Sequence, residues 1–351
     1  MLGKWLIKDR FWLSWNNLFT GIVVVYGLGL AVWALLRWRW PDRWWWLFLV
    51  NSFAVYLLLP LPLILVLSWL SGQTIAWLAA GVALAVAAYL LGPSVLPIWL
   101  RRRPTLPNKP ILQVLTWNVL NKNLKHTAIA ATLQQANADL ICLQELTCAA
   151  ADDLSTSLAH TYPHRLLAAQ PDDSGMGIFS RYPLTPIPHD MAGVWIGPPQ
   201  VAQFTFNGQP ITLINAHPIS TPPTNPLHMY VTMKQRVDEV QTLMAFVAQQ
   251  TTPVIMVGDF NAAQHSHAYD QVRAKLCDAW VEAGVGLGHT FPGKNPIDNG
   301  QPNAAERWTP KWLTRIDFIF HSRHFVTQRA TIGLWDEGSD HRPVCAELAL
   351  N

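Results

Sequence analysis

Three apolar stretches, at 18–36, 44–70 and 74–99, are each long enough to cross a lipid bilayer as a helix, which takes roughly 20 residues. The first carries Gly21-Ile22-Val23-Val24-Val25-Tyr26 and no charge until Arg37. The second holds Pro60 and Pro62, which break soluble helices but are tolerated in membrane spans. Trp38, Trp40, Trp44, Trp45 and Trp46 cluster between the first two, where the amphipathic indole favours a membrane–water interface. A cleaved secretory leader accounts for one stretch at most, since its apolar core is only about 7–15 residues. Residues 1–100 are therefore expected to be a transmembrane region of about three helices. That makes the protein multi-pass in a cell membrane, with the lipid bilayer as a partner.

Charge separates this region from the rest. Residues 1–100 hold 12 of the 18 Trp, six Lys/Arg and two acids. Residues 104–351 hold 16 Lys/Arg against 20 Asp/Glu, a net charge of −4, so the overall +3 comes from the first 103 residues. A protein that grips a phosphate backbone without specificity needs a basic face, and this part has no net excess to build one. With three spans, Lys4, Lys8 and Arg10 lie on one side. Arg37, Arg39, Arg43, Arg101, Arg102 and Arg103 lie on the other, with the soluble part. Three against six favours a cytoplasmic soluble part by the positive-inside rule. Arginines near a membrane also bind anionic head groups, and the flank of the first span often dominates, so the side stays open.

Residues 101–110, Arg-Arg-Arg-Pro-Thr-Leu-Pro-Asn-Lys-Pro, form a basic linker whose three prolines resist regular structure. Short apolar runs follow at 111–117, 140–143, 177–179, 211–215, 254–257, 315–320 and 344–350. Helix-like stretches lie between some of them, notably 127–137 and 233–249. Strands dominate and the turns are rich in Pro and Gly, a pattern that predicts an α/β sandwich of two packed sheets covered by helices. Cys142, Cys148, Cys277 and Cys345 show no zinc-like or C-x-x-C spacing and read as buried free thiols.

Polar side chains recur at the ends of these runs. Asn118 closes Leu115-Thr116-Trp117, Glu145 follows Leu143-Gln144, and His217 follows Asn215-Ala216. Asp259 and Asn261 stand in Gly258-Asp259-Phe260-Asn261, Asp317 lies in the 315–320 run, and Asp340 and His341 stand in Ser339-Asp340-His341. Residues i and i+2 share a face of a strand, so Asp-x-Asn brings two polar groups to one rim. Each residue has an ordinary alternative: a turn cap for Asn118, a helix start for Glu145, a structural role for a lone His. Together, carboxylate, amide and imidazole at one rim are what a hard divalent metal and a phosphate ester require.

The series Thr116-Trp117-Asn118-Val119, Leu143-Gln144-Glu145, Gly177-Ile178-Phe179-Ser180-Arg181, Asn215-Ala216-His217, Gly258-Asp259-Phe260-Asn261, Arg315-Ile316-Asp317-Phe318 and Ser339-Asp340-His341-Arg342-Pro343-Val344 resembles the endonuclease/exonuclease/phosphatase superfamily. That group includes DNase I-like nucleases, abasic-site endonucleases, neutral sphingomyelinases and inositol polyphosphate 5-phosphatases. The resemblance covers about 111–351 and implies a catalytic domain there, with the four-layered DNase I-like α/β sandwich as its fold. It also implies a Mg²⁺ site, with Mn²⁺ as a substitute, in which Glu145 is the main ligand and Asn118 and Asp340 contribute directly or through water. In the same way it implies that His341 activates the attacking water and Asp317 fixes its tautomer. Asp259 orients the nucleophile, Asn261 donates to a phosphate oxygen, and His217 stabilises the phosphoryl oxygens or protonates the leaving group.

The substrate is left open between classes. A membrane-tethered phosphoesterase acting on a lipid head group or a polyprenyl pyrophosphate fits the spans and the acidic domain; some membrane-anchored members of the superfamily act on the latter. The alternatives are a membrane-tethered endonuclease or exonuclease acting on nucleic acid, and a non-catalytic membrane-bound binding module. The sequence marks no protein partner. The loop 284–314, with Phe291, Trp308 and Trp312, reads as a lipid-facing lip, a base-stacking platform or an ordinary packed loop, and Trp195 in the Pro-rich 186–199 has the same readings.

Overall fold

The computed structural model describes residues 2–95, 109–191, 193–222, 225–293, 310–335 and 338–351, with side chains given for these except 2–14 and 93–95. The chain divides into two compact units, Met1–Pro93 and Ser94–Asn351. Trp99, Arg101, Arg102, Arg103, most of the expected linker and Trp308 lie outside the described residues.

The first unit is helical: α1 (Leu2–Arg39), α2 (Trp45–Ser52), a 3-10 helix (Ala54–Leu58), α3 (Leu61–Ser71) and α4 (Thr74–Val95). Among the described residues, three segments are long and apolar enough to cross a membrane: Trp15–Arg39, Ala54–Ser71 and Thr74–Gly92. The stretch expected as one span at 44–70 is broken into α2, the 3-10 helix and α3. Phe53 leaves helical geometry at the first break, and Pro60, lacking an N–H, stands before α3. Inside, Val23, Ile64, Ala76 and Ala80 pack together, and Leu30, Trp33, Leu47, Leu58 and Leu90 form a second cluster. A Cβ on Gly27 would lie 2.7 Å from the Ala79 carbonyl oxygen, so glycine there allows α1 and α4 to approach closely. Outward, Val25, Leu28, Trp69 and Leu78 stay exposed, an apolar surface that suits lipid rather than water.

In the second unit the elements are β1 (Ile111–Asn118), α5 (His126–Ala136), β2 (Leu140–Gln144), α6 (Cys148–Ser157), β3 (His164–Ala168), β4 (Met176–Ser180), β5 (Thr185–Pro186), β6 (Gly197–Phe206), β7 (Gln209–His217), α7 (Pro226–Gln249), β8 (Val254–Asp259), α8 (His267–Arg273), β9 (Cys277–Asp278), α9 (Ala279–Ala283), β10 (Asp317–His321), β11 (Phe325–Ile332) and β12 (Val344–Leu350). They form two six-stranded sheets, ordered β11-β12-β1-β2-β4-β3 and β5-β6-β7-β8-β10-β9. Each sheet has one parallel pair, β1/β2 and β7/β8, joined through α5 and α7; the other pairs are antiparallel.

The central strands are buried on both faces, which is why they read as continuous apolar runs rather than alternating ones. Leu112, Val114, Leu140, Cys142, Leu213, Ile255, Val257 and Ile319 meet between the sheets. Leu115, Trp117, Ile141, Leu143 and Phe179 pack outward on α5 and α6, and Ile214, Met256, Phe318 and Phe320 pack outward on α7 and α8. The result is the four-layered α/β sandwich expected from the sequence. The cysteine reading needs correction: Cys142 is buried, but Cys148 is exposed at the start of α6, and Cys277 and Cys345 are half-buried.

Candidate active site

The period-2 geometry of the strands places the site. Leu112, Val114 and Thr116 lead to Asn118 on the inter-sheet face of β1; Leu213 and Asn215 lead to His217 on β7; Ile255 and Val257 lead to Asp259 on β8. Because β1, β7 and β8 run in related directions, these three residues end at one rim of the sandwich. β10 runs the other way, so its first residue, Asp317, pairs in register with the last residue of β8, Asp259. The expected 315–320 strand begins two residues later than its apolar run. Arg315 turns away to form a buried ion pair with Asp278, with Nη2 2.8 Å from Oδ2.

All eight residues singled out in the sequence converge there. The Asn118 Nδ2 donates to Glu145 Oε1 at 2.8 Å and to Asp259 Oδ2 at 3.1 Å. Asp259 Oδ2 lies 3.7 Å from His217 Nε2 and 3.6 Å from His341 Nε2. The other ring nitrogen of His341 is 2.9 Å from Asp317 Oδ2, and its Nε2 is 3.9 Å from Asp340 Oδ1. The backbone N–H of Asn261 donates to Asp259 Oδ1 at 2.8 Å, while its side-chain Nδ2 donates to the Pro218 carbonyl at 3.1 Å, tying β8 to the loop after His217. Asn118 Oδ1 accepts the Leu120 N–H at 3.0 Å. The Asn118 side chain is thus oriented with its amide N–H groups holding two carboxylates and its oxygen accepting one backbone N–H.

Backbone strain concentrates here. Glu145 and Asn261 have φ of 56° and 49°, a region that non-glycine residues rarely enter. Gly258 has φ 142°, and a Cβ on it would stand 1.9 Å from the Ala216 carbonyl oxygen, so only glycine lets β8 pass β7 just before Asp259.

Burial shifts the acids upward. It raises Glu145 despite the opposing hydrogen bonds from Asn118 and Asn121, and it raises Asp340 and Asp259 against the pull of His341. Burial lowers His217, which Asp259 only partly offsets, so this imidazole is neutral. For His341 burial also acts downward, but the Asp317 and Asp259 carboxylates and the Asp317 hydrogen bond outweigh it and hold the ring well above its usual value. Among the described residues, Asp340 Oδ1 is buried with no hydrogen-bond partner, and Glu145 raises its pKa further. An orphaned carboxylate oxygen close to other acids is suited to a hard cation. Asp259, Asp317 and His341 also offer ligand atoms within 4.8 Å of one another, but His341 Nδ1 is already engaged with Asp317.

Several supporting residues carry no motif of their own. Gln144 Nε2 donates to Asn215 Oδ1 at 2.7 Å, and Asn215 Nδ2 donates to the Leu143 carbonyl at 3.1 Å; both amides are buried between the sheets beneath the site. Ser339 Oγ donates to the Asn118 carbonyl at 2.6 Å and accepts the His341 N–H at 3.0 Å. Trp117 Nε1 donates to the His341 carbonyl at 3.1 Å, and the Phe291 ring lies 4.8 Å from the His341 ring. Gln144 and Asn215 were visible as polar residues in otherwise apolar strands. Phe291 stood out in the sequence only as an aromatic residue of the 284–314 loop; its packing on His341 was not legible, because that partner is 50 residues away.

Comparison with known proteins agrees with this architecture. The Endonuclease/Exonuclease/phosphatase family matches residues 115–341. No curated protein sequence matches the chain. Among solved structures, the chain is similar to D. rerio TDP2 complexed with a single-strand DNA product, at 17% identity and TM-score 0.53, covering 68% of this chain and 98% of that one. It is also similar to a conserved protein of unknown function from Enterococcus faecalis, at 19% identity and TM-score 0.52, covering 68% of this chain and 100% of that one. Truncated Caenorhabditis elegans TDP2 aligns at 18% identity and TM-score 0.51, over 68% of this chain and 98% of that one.

Proposed function

The chain belongs to the Endonuclease/Exonuclease/phosphatase family, and from that premise we propose that it is a cation-dependent hydrolase of a phosphodiester or phosphoanhydride on a membrane-associated substrate, a lipid head group or a polyprenyl pyrophosphate. The observation that carries the reading is the array Asp317–His341–Asp259, with Glu145 and Asp340 beside it.

Glu145 and Asp340 would hold the cation, with Mg²⁺ the natural choice for two carboxylates plus water and Mn²⁺ a substitute. Asn118 would act by positioning Glu145 and Asp259. When bound, the cation would neutralise charge on the phosphate oxygens.

Hydrolysis adds a water oxygen to phosphorus as the bond to the leaving oxygen breaks, so one proton must be taken from water and one supplied to the leaving group. The family resemblance implies His341 as the base. The charge balance around it favours Asp259 as acceptor and the His341 imidazolium as donor. A proton taken by Asp259 lowers the negative charge that holds the proton on His341, so acceptance and release support each other. Neutral His217 then acts as a hydrogen-bond donor to phosphoryl oxygens, and Asn261 holds the Asp259 carboxylate through its backbone N–H.

The membrane setting rests on the three apolar helices of the first unit, which would anchor the protein as a multi-pass chain. The charge count of three against six favours the cytoplasmic side for the catalytic unit. A second reading, a membrane-tethered nuclease, is favoured by the likeness to D. rerio TDP2, whose structure holds a DNA product; the −4 net charge of residues 104–351 opposes it. The test is turnover by the full chain in lipid nanodiscs, with Mg²⁺ or EDTA, of a polyprenyl pyrophosphate, a sphingomyelin-type diester and plasmid DNA. Magnesium-dependent turnover of either lipid is the expected result; turnover of DNA alone would overturn it.

A further inference from the structure

Apart from Ile111 at the opposite pole, every strongly exposed large apolar side chain among the described residues of the second unit lies at the end of the sandwich that holds the site. Leu124, in the β1–α5 loop, is 85% exposed, and Leu227, in the first turn of α7, is 72% exposed. Val194, Val285 and Leu334 lie before β6, after α9 and after β11. Strand direction puts them there. β1 and β7 run toward the site, Gly197 at the start of β6 pairs with His217, and Ile332 at the end of β11 pairs with Val344 beside Thr116. Thr290, five residues after Val285, accepts the Asp317 N–H through its hydroxyl. Leu227, Tyr230 and Val231 stand at i, i+3 and i+4 and share one face of α7.

These tips are held out by ordered backbone. The Leu124 loop hangs on the site itself: the Leu120 N–H donates to Asn118 Oδ1, Asn121 N–H to Glu145 Oε2 and Lys125 N–H to Asn123 Oδ1. Buried Glu239 on α7 accepts the N–H groups of Trp195 and Ile219, each at 2.8 Å, and so fixes the segment next to Val194. Lys122 and Lys125 flank Leu124, and Lys311 Nζ lies 4.0 Å from the centre of the Trp335 ring. Trp195, Trp312 and Trp335 are half-buried at the same end. Apolar tips among lysines and half-buried indoles make up a surface suited to the head-group region of a bilayer.

We propose that this rim is a bilayer-docking surface, which turns the mouth of the site to the lipid and admits a phosphate whose apolar tail remains in the membrane. The inference rests on the membrane-anchored reading above. A bilayer is favoured over a protein occupant because the same polypeptide carries three membrane-long apolar segments. Only fifteen residues separate α4 from β1. A stretch of that length reaches at most about 50 Å, roughly twice the ~26 Å length of an eight-residue strand such as β1.

The test uses the full chain carrying Cys148→Ser and one of Leu124→Cys, Leu227→Cys or Asn207→Cys, labelled with a polarity-sensitive fluorophore and reconstituted into phosphatidylcholine–phosphatidylglycerol vesicles. Labels at 124 and 227 should emit to the blue and be quenched by lipids brominated in their acyl chains. The label at 207, in the β6–β7 turn at the far pole, should stay aqueous. Aqueous emission at both 124 and 227 would overturn the proposal. This readout needs no turnover, so it stands or falls apart from the phosphoesterase assignment. In a second arm, Leu124→Glu with Leu227→Glu should lower turnover of a vesicle-borne phosphate ester about tenfold and leave hydrolysis of soluble bis(p-nitrophenyl) phosphate unchanged. Equal loss on both substrates would count against docking.

Discussion

Asp259 and Asp317 face each other across the antiparallel β8/β10 ladder, and the His341 ring bridges them, with Nδ1 2.9 Å from Asp317 Oδ2 and Nε2 3.6 Å from Asp259 Oδ2. Two buried carboxylates beside one imidazole raise its pKa well above the usual value, because their attraction exceeds the penalty of burying the cation.

Asp317→Asn removes one of those charges and keeps the shape. The His341 pKa should fall, read from a ring-proton titration by NMR, and turnover should drop by about 10²–10⁴-fold, the usual range for a misplaced acid–base group. An unchanged titration would show that Asp317 does not control His341.

Glu145→Gln separates stability from function. A carboxyl whose folded pKa is raised disfavours the folded state once charged, so its contribution declines as pH rises from its usual value, 4.5, through the folded value. Without divalent cations the variant should therefore melt at or above the wild-type temperature at pH 7. Added Mg²⁺ should raise the melting temperature of the wild type but not of the variant, as differential scanning fluorimetry would show.

Gly258→Ala forces a Cβ to within 1.9 Å of the Ala216 carbonyl oxygen at φ 142°. The β7/β8 pair must separate to relieve this, at a cost of about 3 kcal/mol or more. Urea denaturation should show that loss, and turnover should fall because Asp259 is the next residue.

Glu282 gives the second unit an acid-sensitive contact away from the site. Burial pushes its carboxyl up, but the His321 hydrogen bond and charge and the Thr327 N–H outweigh this and hold it at about 2. A depressed carboxyl contributes stability that is fully present above its unfolded value, 4.5, and is lost as pH falls toward 2. Between pH 5 and pH 2.5 the wild type should lose more stability than Glu282→Gln in denaturant titrations; parallel losses would remove Glu282 as a cause.

Much of the site was legible because its residues end apolar strands, where a polar side chain has no local reason to stand. Asn118, His217 and Asp259 share a parity with the apolar residues before them, and that parity is written in the chain. Strands at or next to the sheet edges were not legible. β3 alternates weakly, and β5 is two residues long. β6 carries Pro198 and Pro199, and β11 mixes Thr, Gln and Arg with its apolar residues. Each borrows its order from the strand it pairs with rather than from its own pattern.

The sequence by itself determined that the chain has three membrane-long apolar segments and a two-sheet sandwich with acids, amides and imidazoles at its strand ends. Local periodicity and side-chain chemistry suffice for that. Only the tertiary structure decided that Asp317 meets Asp259, that Asn118 acts as a donor, that Gln144 and Asn215 lock together beneath the site, and that the second apolar stretch breaks into three helical pieces. These depend on strand direction, register and backbone path, which are set by contacts between residues far apart in the chain.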